Sequence, residues 1–129
     1  MKLFVTGCEG QLGHDVLAVA AARGAQAHGA DIKQLDITDS HAVAAFIGQN
    51  RPDAIIHCAA YTAVDRAQEE PERCEQVNVC GSENIARACA AAGSKMIYIS
   101  TDYVFNGAAR VPYDTDDEPE PLNVYGRTK

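Results

Sequence analysis

The chain has 129 residues, enough for one domain with its own core and too few for two. Hydrophobic residues make up 47%, which excludes a disordered chain, and 18 acidic against 11 basic side chains give a net charge of -7. That balance argues against a nucleic-acid footprint, which needs a basic face, and offers an anionic membrane no polybasic attraction.

The opening run Leu3 to Thr6 is short, apolar and stopped by glycine, which predicts a buried strand; it is too short for a signal peptide. Gln11 to Arg23 reads as a helix with Leu12, Val16, Ala20 and Arg23 on one stripe and Gly24 as its stop. Ala25 to Ala30 is a weaker strand ending at Asp31. Asp39 is placed to cap a helix that turns Val43, Phe46 and Ile47 inward and closes at Pro52. Ala54 to Cys58 is a second buried strand. From about Pro71 to Ala92 the stripe Cys74, Val77, Gly81, Ile85, Ala88, Ala92 predicts a long helix. Gly81 in its middle costs about 1 kcal/mol against alanine, so close approach of a neighbouring element is expected there. Lys95 to Ser100 is the next strand, and Val111 to Pro121 a solvated loop rich in proline and acid. Strand and helix alternate with no hairpin joining consecutive strands, so the expected fold is α/β, a doubly wound parallel sheet. No window approaches the ~18 apolar residues of a membrane span.

Five cysteines, at 8, 58, 74, 80 and 89, show no C-x-x-C pair and no zinc spacing. They read as free thiols in a reducing cytoplasm, with Cys8 set apart because a helix N-terminus at the glycine loop would lower its pKa. His57, inside an apolar strand, reads as a satisfied core histidine; His14, His28 and His41 read as surface residues. The acidic loop has the oxygens to bind Mg²⁺, but carboxylates separated by prolines are usually solvated, and no metal site is expected.

Chemistry concentrates at the two ends. Gly7, Gly10 and Gly13 form G-x-x-G-x-x-G between a strand and a helix, where backbone N–H groups and a helix N-terminus can approach a pyrophosphate; a tight turn with no ligand is the alternative. Asp31, 18 residues past Gly13, can accept hydrogen bonds from ribose hydroxyls and would repel a 2′-phosphate, favouring NADH over NADPH; an ordinary turn aspartate is the alternative. At the other end Tyr125 and Lys129 stand four apart, one helical turn. A lysine ammonium beside the phenol would lower its pKa and make it a usable acid near neutral pH. Together the two ends point to a nicotinamide-dependent reductase. Thr101 and Asp102 stand at a strand end, where capping the next turn is the simpler role.

Four blocks in order carry a resemblance. They are Thr6-Gly7 with Gly10-Gln11-Leu12-Gly13, then Ala59-Ala60-Tyr61-Thr62-Ala63-Val64-Asp65, then Ser100-Thr101-Asp102-Tyr103-Val104-Phe105 with Gly107, and Pro121 through Lys129. Over its whole length the chain resembles the extended short-chain dehydrogenase/reductases, and within them the dTDP-4-dehydrorhamnose reductase family. The resemblance implies a Rossmann-like fold and reduction of the 4-keto group of a dTDP-6-deoxyhexose by NADPH or NADH. It implies that Thr101, Tyr125 and Lys129 are catalytic, Tyr125 protonating the C4 oxygen, Thr101 donating to it, and Lys129 lowering the tyrosine pKa and holding the nicotinamide ribose. Cofactor contacts fall to Gly7, Gly10, Gln11, Leu12, Asp31, Asp36, Ile37, Ala59, Ala60, Tyr61, Tyr125 and Lys129, and the sugar nucleotide to Val64, Thr101, Asp102 and Tyr103. Related dehydratases resemble Thr-Asp-Glu at the Thr101 block; Tyr103 in place of that glutamate favours simple reduction. A sugar-nucleotide epimerase of the same superfamily and a non-catalytic, NADP-binding regulatory subunit of methionine adenosyltransferase type share these blocks and remain the alternatives.

The family's chain continues past the Tyr-x-x-x-Lys helix into further strands and a sugar-binding lobe. Residues 1–129 therefore read as an incomplete dinucleotide-binding domain without the C-terminal strands and substrate lobe. Helices below about 12–15 residues are marginal alone, so Tyr125 and Lys129 are expected to be displaced or frayed and the piece inactive. An exposed sheet edge predicts self-association, a homodimer at its simplest.

Overall fold

The structure, a computed structural model, describes residues 1–129 and contains four strands, all parallel, in the order β2-β1-β3-β4. β1 is Lys2–Thr6, β2 Gln26–Ala30, β3 Ala54–His57 and β4 Lys95–Tyr98. β1 pairs Leu3 with Ala27 on one side and with Ala54 on the other, and β3 pairs Ile55 with Met96. Successive connections thus leave β1 in opposite directions, which opens a crevice beyond the carboxyl ends of β1 and β3. This is the Rossmann-like α/β sheet that strand–helix alternation predicts.

The helices follow the expected boundaries closely where local signals are strong. Helix α1 is Gln11–Ala22 and α2 is Ser40–Asn50. Asp39 caps α2, its carboxylate accepting from the His41 and Ala42 N–H groups at 3.0 Å. Val43 and Ile47 are fully buried, and with Phe4, Leu35, Ile37, Ile55 and Ile85 they form the main core between the sheet, helix α2 and the later helix Ser82–Ala92. No helix is long and apolar enough to cross a membrane.

The inward face of α1 differs from the expected stripe. Leu12 is 46% exposed and Arg23 is exposed, while Gly13 and Ala20 are buried. The cause is backbone packing. A Cβ at Gly13 would collide with the Gly7 carbonyl oxygen and stand 2.8 Å from Cys8 Cα, and one at Gly7 (φ +65°) would stand 2.8 Å from Ala59. The smallest side chain has to face the loop, which turns Leu12 outward into the crevice.

The expected long helix is three pieces, with a short helix before it. They are α3 (Val64–Ala67), α4 (Pro71–Glu75), a π-helical segment Gln76–Gly81 and α5 (Ser82–Ala92). The anticipated close approach at Gly81 is present: a Cβ there would lie 2.7 Å from Ile37 Cδ1. A 3₁₀ turn, Asp102–Val104, and a last helix α6, Val124–Thr128, complete the chain.

α6 is not frayed, contrary to expectation. Asn123 caps it by accepting from the Gly126 N–H at 2.7 Å, and Gln68 accepts from the Val124 N–H at 2.7 Å. Asn78 donates to Thr128 Oγ1 at 3.0 Å, and Thr128 donates to the Tyr125 carbonyl at 2.8 Å. Tyr125 is buried with Ala67 and Cys74. Tertiary partners therefore supply what five residues of helix lack on their own.

Candidate active site

The crevice at the carboxyl end of the sheet is a cleft of about 880 Å³, within the usual range for small-molecule and cofactor sites. Its floor comes from Thr6 at the end of β1, Gly7 after it, and Cys58, Ala59, Ala60 and Tyr61 after β3. α1 points its first turn at the same space. That helix starts at Gly10 with no side-chain cap and no acidic residue in its first turn. Its leading N–H groups and the positive end of its dipole are thus left for an anion. The loop before it is held by a Gly10 N–H donating to the Gly7 carbonyl at 3.1 Å.

All twelve cofactor candidates from the sequence line this cleft: Gly7, Gly10, Gln11, Leu12, Asp31, Asp36, Ile37, Ala59, Ala60, Tyr61, Tyr125 and Lys129. Asp31 sits at the rim with both oxygens engaged. It accepts from the Glu9 N–H at 3.1 Å and the Ile32 N–H at 2.8 Å. Asp36 accepts from the Thr38 N–H and hydroxyl, at 2.9 and 2.7 Å. Tyr61 is held at its main chain by Asn78, which accepts from its N–H at 2.7 Å and donates to its carbonyl at 3.1 Å. Its hydroxyl donates to Glu70 at 2.9 Å, and burial followed by that bond raises the phenol pKa.

The four sugar-facing candidates lie outside the cleft lining. Val64 begins α3 and packs against the cluster around Tyr125. Thr101 accepts from the Tyr103 N–H at 3.3 Å and donates to Asp102 at 3.1 Å, so its hydroxyl does cap the 3₁₀ turn. Tyr103 is 46% exposed and meets the Tyr125 ring edge-on, centroids 5.8 Å apart.

Tyr125 and Lys129 reach the cleft together, but their electrostatics differ from the expectation. Burial raises the Tyr125 pKa above its ordinary value, the neighbouring Thr101 hydroxyl opposes this, and Lys129 is not among the groups that shift it. The lysine ammonium instead sits 4.6 Å from the centroid of the Tyr98 ring. Burial lowers the Lys129 pKa, with Cys58 and Cys74 acting against that. Cys8 is also corrected. Burial and the charges of Asp31 and Glu9 raise its thiol pKa, outweighing any helix effect.

His57 is the satisfied core histidine that its strand position implies. It is 1% exposed, with Nδ1 2.7 Å from Thr6 Oγ1 and Nε2 3.1 Å from Ser82 Oγ. His14, His28 and His41 are exposed, and no cysteine is disulfide-bonded. No group of three metal-ligating side chains converges anywhere in the chain. Residues missed by sequence reasoning are Asn78, Ser82 and Tyr98. The signal available for Asn78 was a polar residue one turn past Cys74, beside the stripe residue Val77.

Comparison with known proteins fits this geometry. The family model described as RmlD substrate binding domain matches residues 1–129. A dTDP-4-dehydrorhamnose reductase of Mycolicibacterium smegmatis is 46% identical over 129 residues, covering 99% of this chain and 39% of that protein. Methionine adenosyltransferase 2 subunit beta of Rattus norvegicus is 38% identical over 135 residues, covering 99% of this chain and 40% of that protein. Among solved structures, a dTDP-4-dehydrorhamnose reductase from Bacillus anthracis in complex with NADP superposes with a TM-score of 0.95 at 39% identity, covering 98% of this chain and 45% of that one. The chain thus spans about two fifths of the length of these curated relatives.

Proposed function

This chain belongs to the RmlD substrate binding domain family, and we propose that it forms the dinucleotide-binding part of an NAD(P)H-dependent reductase acting on a dTDP-linked 4-keto-6-deoxyhexose, converting dTDP-4-dehydrorhamnose to dTDP-rhamnose in deoxysugar nucleotide synthesis. The observation that carries the reading is one cleft holding both an uncapped helix start and the Tyr125–Lys129 pair.

The residues suit a dinucleotide. The Gly7–Gly13 loop and the first turn of α1 would take the pyrophosphate, Asp31 a ribose, Asp36 and Ile37 the adenine side, and Ala59, Ala60 and Tyr61 the middle of the cofactor. When bound, the reduced nicotinamide supplies the hydride. Tyr125 supplies the proton: its raised pKa keeps the hydroxyl protonated at neutral pH, so it enters the reaction as an acid. Lys129 at the cleft wall would hold the nicotinamide ribose. Thr101, whose hydroxyl now donates to Asp102, would turn it to the same carbonyl oxygen as negative charge grows there. Val64, Asp102 and Tyr103 stand on that side, where the sugar nucleotide would lie. Tyr103 cannot replace the carboxylate that water elimination needs, so reduction is favoured over dehydration.

The free thiols suit a reducing cytoplasm. Ile97, 52% exposed on the edge strand β4, supports self-association as a homodimer.

The test is NADPH and NADH oxidation by the full-length protein with dTDP-4-dehydrorhamnose. Turnover is expected, and Tyr125→Phe is expected to lower kcat by about 10²–10⁴. Full activity in that variant removes Tyr125 from the mechanism. The similarity to methionine adenosyltransferase 2 subunit beta favours a second reading, a non-catalytic binding subunit; full-length protein that binds NADPH yet reduces no sugar nucleotide selects it.

A further inference from the structure

Behind the wall that carries Tyr125 and Lys129 runs a buried polar chain with no part in the reductase reading. The Ala59 N–H donates to Thr6 Oγ1 at 3.1 Å, and Thr6 Oγ1 is 2.7 Å from His57 Nδ1. His57 Nε2 is 3.1 Å from Ser82 Oγ. The Tyr98 hydroxyl, beside this chain, donates to the Lys129 carbonyl across a long 3.4 Å.

One proton assignment satisfies every member. Thr6 has a single hydroxyl proton and already accepts from Ala59, so it donates to Nδ1. His57 is then the Nε2–H tautomer and donates to Ser82. The imidazole also stacks on the Tyr98 ring, centroids 6.0 Å apart and 26° between planes. The lysine ammonium lies over the same ring. Tyr98 itself is not part of the cleft lining, whereas Lys129 is.

We infer that Tyr98 is a positioning residue for Lys129: its ring holds the ammonium at the cleft wall, and the imidazole of His57, itself held between Thr6 and Ser82, backs the ring by stacking on it. A lysine free in solution surrenders much rotamer freedom when it orders on a ligand. One already held surrenders less, so the ring raises cofactor affinity through preorganisation rather than contact. The use of the lysine rests on the reductase reading, but its placement over Tyr98 is a property of the chain alone.

Two arms test this. In the NMR spectrum of the chain without cofactor, the Lys129 side-chain methylene protons are expected upfield, under the Tyr98 ring current. Tyr98→Phe should keep that shift and Tyr98→Leu should abolish it. Random-coil positions in the parent overturn the proposal, whatever the cofactor result. In fluorescence titrations with NADPH, Tyr98→Leu should weaken binding by about three- to tenfold and Tyr98→Phe by about twofold at most. In a Lys129→Met background Tyr98→Leu should cost nothing further, because its effect passes through the lysine. Equal losses in both backgrounds mean that Tyr98 serves general packing, and the inference fails. If the parent binds no NADPH, the cofactor reading fails and the NMR arm alone decides the role of Tyr98.

Discussion

Acidification should destabilise this chain through His57 beyond what its carboxylates contribute. Burial, reinforced by the nearby Lys129 charge, lowers the imidazole pKa from 6.5 to about 4. In the unfolded chain the ring takes its proton as pH falls through about 6.5, whereas the folded chain resists until about 4. Between those values the unfolded state binds more protons, so stability drops with falling pH by up to about 1.4 kcal/mol per unit. Across the interval the loss reaches about 3 kcal/mol, against a typical domain stability of about 5–15 kcal/mol. Above pH ~7 the ring is neutral in both states and contributes no pH dependence. Protonation is unfavourable for a visible reason: an Nδ1–H would point a second donor at Thr6 Oγ1, which already accepts from Ala59, and would add positive charge near Lys129. The assay is urea unfolding from pH ~8 to ~4.5 for the parent and His57→Gln, whose amide can accept from Thr6 and donate to Ser82 without titrating. The variant should lose about 1–2 kcal/mol at high pH, and the gap should close as pH falls. A parent-to-variant difference that stays constant over the range refutes the reasoning, because carboxylate titration is common to both.

Two further outcomes follow from particular contacts. Gly81→Ala gains about 1 kcal/mol of helix propensity but drives a Cβ within 2.7 Å of Ile37 Cδ1. Overpacking of about 1–3 kcal/mol should win, because Ile37 Cγ1 at 2.8 Å stands in the way as well, lowering Tm; a raised Tm in Gly81→Ala contradicts the tight contact. Asp31→Ser should shift the ratio of NADPH to NADH affinity toward NADPH by about tenfold, since a carboxylate pinned at the rim by two N–H groups repels a 2′-phosphate. An unchanged ratio in fluorescence titrations removes Asp31 from cofactor discrimination.

Much of this molecule was readable from residues that lie close together in the chain. The strands β1 and β3 announce themselves as apolar runs stopped by small residues, Asp39 as a cap four positions before the first inward side chain, and Gly81 as a costly residue that needs a reason. The spacing of Gly7, Gly10 and Gly13 between a strand and a helix, with Tyr125 and Lys129 at the far end, marks the components of the candidate site. Each of these signals is local: a propensity, a cap or a periodicity is set within one or two turns of backbone. What residues 124–129 do was decided elsewhere. α6 docks because Asn78 reaches Thr128 across 50 positions and Gln68 reaches Val124 across 56, and a five-residue helix has no stability of its own to predict from. The phenol of Tyr125 has a raised pKa, and not the lowered one its spacing implied, because burial governs it while the lysine charge rests on Tyr98. Leu12 faces the cleft for a similar reason, since only the close packing of Gly13 on the Gly7 carbonyl sets the rotation of α1. Pattern along the chain determined the elements and the inventory of chemistry; burial, charge placement and long-range hydrogen bonds, which depend on the whole folded chain at once, determined how that chemistry is aimed.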